Sequence, residues 1–152
     1  MLSNIIVKTS VDAGTADVYQ KIKGRDRYNA VWDNLNIYSK AGPGKVIAKY
    51  IAIDMNSSLE QIEGFLNQCE NAKISMIEIT PNFSEVWKKE ITQASLFAAA
   101  KLAYLSVNMG FNLRMDTGLW GSYEETLKDM LRVIPKVNNP YVVAPDVRPS
   151  NF

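Results

Sequence analysis

Ile5-Ile6-Val7-Lys8-Thr9-Ser10-Val11-Asp12-Ala13-Gly14-Thr15, running on through Tyr19 to Gly24, decides the fold. Three consecutive apolar residues followed by β-branched Thr9 and Val11 predict a parallel strand buried on both faces. Small polar residues stand at its carboxyl end, which in open α/β sheets and barrels is the end where ligands bind. Ser10 and Asp12 are two apart on one strand, so their side chains leave the same face. Ala13-Gly14 makes a turn, Thr15 is an N-cap, and Asp17 meets the positive end of the helix that starts there.

Further on, Tyr28, Val31, Trp32, Leu35 and Tyr38 recur at helical spacing, and Ala41-Gly42-Pro43-Gly44 ends that helix. Gly42-Pro43-Gly44-Lys45 precedes a strand and lacks Walker spacing, so it reads as an αβ turn and not a phosphate loop. A second strand spans Lys45 to about Ile53, with Lys49 in its otherwise apolar middle. A lysine there must reach water, a carboxylate or a ligand. Ser57-Ser58-Leu59-Glu60 reads as a capping box for a helix with the stripe Leu59, Ile62, Phe65, Leu66 and Cys69. The third strand runs from Ile74 to about Thr80 and closes at Pro81.

One long helix is then expected from near Ser84 or Glu85 to Asn108. Trp87, Ile91, Ala94, Ala98, Leu102, Leu105 and Met109 face inward, and Gly110 stops it. Phe111 to Asp116 reads as a fourth, shorter strand, Thr117 to Gly121 as a loop, and Ser122-Tyr123-Glu124-Glu125 as the cap of a last helix ending near Ile134. The order β-α-β-α-β-α-β-α implies a parallel sheet with right-handed crossovers. The expected architecture is α/β, a partial (half) parallel β/α barrel of about four βα units over residues 1–134. A tail, residues 135–152, holds four of the six prolines.

Ser-Val-Asp-Ala-Gly-Thr (10–15), Val-Tyr-Gln-Lys-Ile-Lys-Gly (18–24), Tyr-Asn-Ala-Val-Trp-Asp-Asn-Leu (28–35) and Val-Ile-Ala-Lys-Tyr-Ile-Ala-Ile (46–53) together resemble the fourth and fifth strand regions of radical S-adenosylmethionine (radical SAM) enzymes. The resemblance covers about residues 4–80. It implies a partial or full (β/α) barrel in which a [4Fe–4S] cluster, held by a Cys-x3-Cys-x2-Cys loop after the first strand, binds and cleaves S-adenosylmethionine. This sequence has no such loop, and its single cysteine, Cys69, cannot hold a cluster that normally takes three or four thiolates. The chain is therefore expected to be the carboxy-terminal portion of such an enzyme, the cluster coming from a missing amino-terminal half or a partner chain.

By position, the resemblance gives Ser10 and Asp12 the ribose and methionine moieties of S-adenosylmethionine and gives Lys49 the methionine carboxylate. Lys23 stands where many members have Arg before Gly, and Thr80 and Asn82 fall near the adenine end. Each has a plainer reading. Asp12 accepts turn amides, Ser10 is a small core residue, Lys49 snorkels or pairs with Asp12, and Lys23 is a solvated helix residue. Cys69 reads as an inert core thiol, and Trp32, Trp87 and Trp120 as packing residues, with Trp120 alone held open for ligand stacking.

The 152 residues are 47% hydrophobic and 22% charged, with 17 basic and 16 acidic side chains, so no whole-chain field steers them to nucleic acid or anionic lipid. There is no histidine, which excludes His-dependent triads and Cys/His zinc sites. No apolar run reaches ~18 residues and no cleavable leader is recognisable, which makes the cytoplasm the expected compartment. Besides the enzyme reading, two others stand. One is a non-catalytic half-barrel that oligomerises or binds a partner chain over its apolar first strand. The other is a flavodoxin-like or small hydrolytic α/β domain using Asp12, with Asp54 or Asp116 at strand ends, and a divalent metal.

Overall fold

The computed structural model of the chain describes residues 5–132. Four strands, β1 (Val7–Ser10), β2 (Val46–Ala52), β3 (Met76–Pro81) and β4 (Asn112–Met115), form one sheet in the order β1-β2-β3-β4. Every pairing is parallel. Helices α1 (Ala16–Lys23) and α2 (Tyr28–Ala41) link β1 to β2, α3 (Leu59–Asn71) links β2 to β3, and α4 (Phe83–Lys88) with α5 (Gln93–Asn108) links β3 to β4. Helix α6 (Glu124–Leu131) follows. A sheet whose spatial order repeats its chain order, with right-handed crossovers, carries its helices on one face.

The side chains bear this out. Val46, Ala48, Tyr50 and Ala52 of β2 leave one face with Ile77 and Ile79 of β3 and Leu113 and Met115 of β4. They share one buried cluster with Trp32 and Leu35 of α2, Phe65 and Leu66 of α3, and Leu96 and Leu102 of α5. Within it Tyr19, Tyr28, Trp32, Phe65 and Tyr50 form a chain of edge-on or tilted rings with centroids 4.8–6.2 Å apart. The alternate residues of the strands face the other way. Ile47 of β2 is buried yet lies outside the cluster, on this second face with Lys8, Ser10, Lys49, Glu78 and Arg114.

Burial in the core has a consequence at alkaline pH. The Cys69 thiol is pushed well above its ordinary pKa by burial. The Tyr50 phenol, which donates to the Asn56 carbonyl at 2.7 Å, is raised by burial first and by the Asp12 charge second. The folded chain keeps both protons at pH values where the unfolded chain releases them. Stability is thus full below pH ~8.5 and falls as pH rises, first through Cys69 and from pH ~10 through Tyr50 also, by ~1.4 kcal/mol per pH unit per group. Urea midpoints at pH 8 and 10.5 should differ accordingly, and Cys69→Val should remove the earlier part of the slope. Equal midpoints would refute this account.

Several expectations are corrected. Ile5 and Ile6 precede β1 and are 53% and 66% exposed, because β1 is an edge strand hydrogen-bonded to β2 alone among the described residues. The long fourth helix is two: Lys89 turns left-handed (φ 58°), ending α4, and Thr92 caps α5 afresh by accepting from Ser95 N. This break leaves Trp87 86% exposed, and Ala94 and Met109 also face outward. The cap of α3 is Ser58, accepting from Gln61 N, while Ser57 donates to the Asp54 carbonyl. Leu59 in the first turn is exposed. No side chain caps α6. Thr117–Tyr123 is a 3-10 segment broken at Gly121 that buries Trp120 completely, which removes that ring from any ligand. The proline-rich tail, residues 135–152, lies outside the described residues.

Candidate functional site

The end of β1 is fastened to the end of β2 by two side chains. Asp12, 2% exposed and left-handed at φ 61°, accepts from the Ile51 amide at 2.7 Å with one carboxylate oxygen. Its other oxygen accepts from Ser10 Oγ and from Lys23 Nζ, both at 2.5 Å. Fully buried Asn56 donates to the carbonyls of Asp12 (2.9 Å) and Ile51 (2.8 Å) and accepts from Ile53 N (2.9 Å). Asp is one of the few non-glycine residues that take the left-handed conformation readily, so the backbone itself aims this carboxylate across to β2.

The turn after Asp12 rests on α3. Gly14 N and Thr15 N donate to Gln61 Oε1 at 2.9 and 3.2 Å, and Tyr28 donates to the Gly14 carbonyl at 2.7 Å. A Cβ on Gly14 would stand 2.1 Å from the Gln61 carbonyl oxygen, and one on Gly64 2.5 Å from the Gly14 carbonyl oxygen. Only two glycines allow helix and turn to approach this closely.

A cleft of about 330 Å³ opens at the carboxyl ends of β1, β2 and β3. Asp12, Lys23, Lys49 and Asn82 supply its polar lining, and Ile22, Ile51, Ile53, Pro81 and Phe83 its apolar wall. Asn82 is held by capping α4, where it accepts from Ser84 N at 3.1 Å. The Lys49 side chain has no hydrogen bond or ion pair among the described residues, and the residue is half-buried. Thr80, on the same face as its register partner Ile51, has a buried hydroxyl with no protein partner among the described residues.

Behind the cleft a charged row crosses the sheet. Ser10, Lys49, Glu78 and Arg114 are register partners on successive strands. Glu78, 7% exposed, accepts from Lys8 Nζ at 3.0 and 3.1 Å and has Arg114 Nε at 3.6 Å. Lys8 belongs to β1 and Glu78 to β3, so the two side chains together bridge the roughly 9–10 Å across β2. Ile47, buried on this otherwise polar face, is the register partner of Lys8.

Searches against known protein families, curated proteins and solved structures find no match for this chain. The site therefore rests on its own geometry. Asp12, Lys23 and Lys49 meet in one cleft, and Ser10 stands behind Asp12. Lys23 is not a solvated helix residue: Asp12 binds it. Lys49 does not pair with Asp12, whose oxygens Lys23, Ser10 and Ile51 N already occupy. Asp54, considered above as a metal ligand, binds the Thr92 and Ser95 hydroxyls at the start of α5. Asp116 turns back to accept from Gly118 N at 2.9 Å. No group of three or more Cys, Asp or Glu side chains suited to a metal ion occurs among the described residues.

Reading the sequence by residue type missed Lys8, Asn56, Gln61, Glu78 and Arg114. Three of these were signalled. Lys8, Glu78 and Arg114 are charges placed at alternate positions of short apolar strands, as Lys49 is, and that period puts them all on one face. Asn56 and Gln61 carried no such sign.

Proposed function

We propose that this chain is the carboxy-terminal half of a (β/α) barrel of radical S-adenosylmethionine type. It would supply the wall that holds S-adenosylmethionine, and an amino-terminal segment or partner chain with three closely spaced cysteines would supply the cluster. The observation that carries this reading is Lys49. Its half-buried side chain lines the cleft without a hydrogen bond or ion pair among the described residues, while Asp12, in the same cleft, and Glu78, its register partner, are committed to other groups. A cation without a counter-ion in a cleft suits an anionic ligand group, and the methionine carboxylate is one. Ile22, Ile51, Ile53 and Phe83 give the flat, apolar part of such a ligand a surface to lie on. Sequential strand order, one helical layer and polar residues at the strand ends are what one half of a barrel requires.

The roles within the site differ from a simple carry-over. Asp12 acts through others: it positions Lys23 and Ser10 and joins β1 to β2. Lys49 is the residue left to meet ligand, with Lys23 beside it. The fit does not extend to the cluster, because Cys69 is buried in the helical layer with its thiol held protonated. S-adenosylmethionine, once bound, would yield a radical and a thioether leaving group only with one electron from a cluster held outside this chain; this chain's residues would bind and orient it.

Isothermal titration of the purified chain with S-adenosylmethionine tests the proposal. Saturable binding is expected, and Lys49→Met, which keeps the stem and removes the charge, should weaken it about tenfold, the value of one charge-assisted contact. Addition of an upstream segment bearing three cysteines should then give an iron–sulfur chromophore. A chain that forms a stable oligomer and binds no S-adenosylmethionine would favour the interaction module instead, for which the exposed Ile5 and Ile6 and the side of β1 left unpaired among the described residues speak.

A further inference from the structure

The face of the sheet that the helices leave uncovered is over-supplied with positive charge. Among the described residues, Lys8, Lys49 and Arg114 stand there with Glu78, and Lys23 with Asp12 at its rim; the Lys8–Glu78 and Lys23–Asp12 pairs leave Lys49 without a carboxylate and Arg114 with only a 3.6 Å approach to one. The whole chain is nearly neutral, at a formal +1, so the surplus is local. Glu78 is the pivot. Both its oxygens lie within hydrogen-bond reach of Lys8, at 3.0 and 3.1 Å, so it approaches Arg114 only through Nε, at 3.6 Å. The rest of the Arg114 guanidinium has no other hydrogen bond or ion pair among the described residues, and its side chain is about half exposed.

We infer that the substrate brought to this face carries an oxyanion, a carboxylate or a phosphate, which seats on Arg114 beside the Lys8–Glu78 pair. The inference rests on the cofactor reading above, since it assigns the cleft at Lys49 to S-adenosylmethionine and the neighbouring row to substrate. That cofactor cannot discharge the surplus, because its sulfonium and ammonium outweigh its carboxylate. The remaining negative charge has to come from the other ligand of the face. A guanidinium is suited to receive it, because its planar fork matches carboxylate and phosphate oxygens two at a time, which an ammonium does not. Glu78 competes with the ligand for these cations, holding Lys8 with both oxygens and approaching Arg114 only through Nε.

The test titrates the isotope-labelled full chain with inorganic phosphate at constant ionic strength and follows the arginine Nε–Hε resonances by NMR. Saturable movement of the Arg114 signal is expected. Arg114→Lys should weaken phosphate roughly five-fold and Arg114→Met should abolish saturation. Glu78→Gln removes a competing charge and should tighten phosphate several-fold, a change that a merely structural Glu78 would not produce. Movement that matches sodium chloride, or that survives Arg114→Met, is screening only and overturns the inference. S-adenosylmethionine is titrated separately. If it binds and phosphate does not, the substrate inference fails and the cofactor reading stands; if phosphate saturates and it does not, the oxyanion seat stands and the cofactor reading fails.

Discussion

Asp12→Ala is expected to cost about 4 kcal/mol of folding stability. The carboxylate is the shared acceptor for Lys23, Ser10 and the Ile51 amide, and it is almost wholly buried. Breaking a buried ion pair by deleting one partner costs ~3–5 kcal/mol, and the lower end applies here because the Lys23 side chain is 27% exposed and can turn to water. Alanine in the left-handed conformation adds ~1 kcal/mol of its own. Asp12→Asn separates the contributions: its amide oxygen still accepts from Ile51 N, but the charge facing Lys23 is gone, so about half the loss is expected. Urea denaturation followed by circular dichroism reads both. A loss below ~1 kcal/mol for Asp12→Ala would mean that the carboxylate ties nothing and is free for ligand, contrary to the roles assigned here.

The second large effect is expected at Gly64. Alanine is the better helix former by ~1 kcal/mol and would stabilise an ordinary interior position. Here its methyl would stand 2.5 Å from the Gly14 carbonyl oxygen, a backbone atom that Tyr28 also holds in place. Neither helix nor turn can yield without losing the bonds from Gly14 N and Thr15 N to Gln61. A net loss of at least ~2 kcal/mol is therefore expected for Gly64→Ala, with part of the protein in inclusion bodies. Gly24→Ala is the control: nothing lies within 4 Å of its Cβ, and only the strain of φ 68° remains, ~1 kcal/mol. Thermal unfolding of the two variants should rank them in that order. The reverse order would mean that the close approach of turn and helix carries no weight.

The alternation of strands and helices was legible because β1, β2 and β3 are short apolar runs with β-branched residues and the helices between them carry apolar stripes. Fold class follows from such runs, and the four-stranded parallel sheet bears it out. The boundaries that failed did so for identifiable reasons. A continuous 3.6-residue period hid the break at Lys89, since no glycine or proline marks it and a lysine takes the left-handed turn. Ile5 and Ile6 carry the composition of a buried strand, but nothing among the described residues covers them. At the site, Asp12 and Lys49 stood out as charges inside apolar runs. Which cation Asp12 would bind was not legible, because Lys23 reaches it from the last turn of α1, eleven residues on, and that distance depends on how the turn at Gly14 sits against α3. The Lys8–Glu78 bridge across β2 was likewise hidden, since it depends on strand order and not on local pattern.

The strand order has a further consequence, for the time in which the molecule forms. Val7 pairs with Val46, Ile47 with Met76 and Met76 with Asn112, so residues paired across adjacent strands lie at least 29 apart in the chain. No hairpin is available to start the sheet. Each ladder waits until an entire crossover, helices included, has been gathered, and loop-closure entropy is spent before any sheet hydrogen bond repays it. Helices gain structure first and the sheet last, with open strand edges exposed in between. Register on β2 and β3, which among the described residues are paired on both sides, is thus expected to set the rate at which the cleft comes into being.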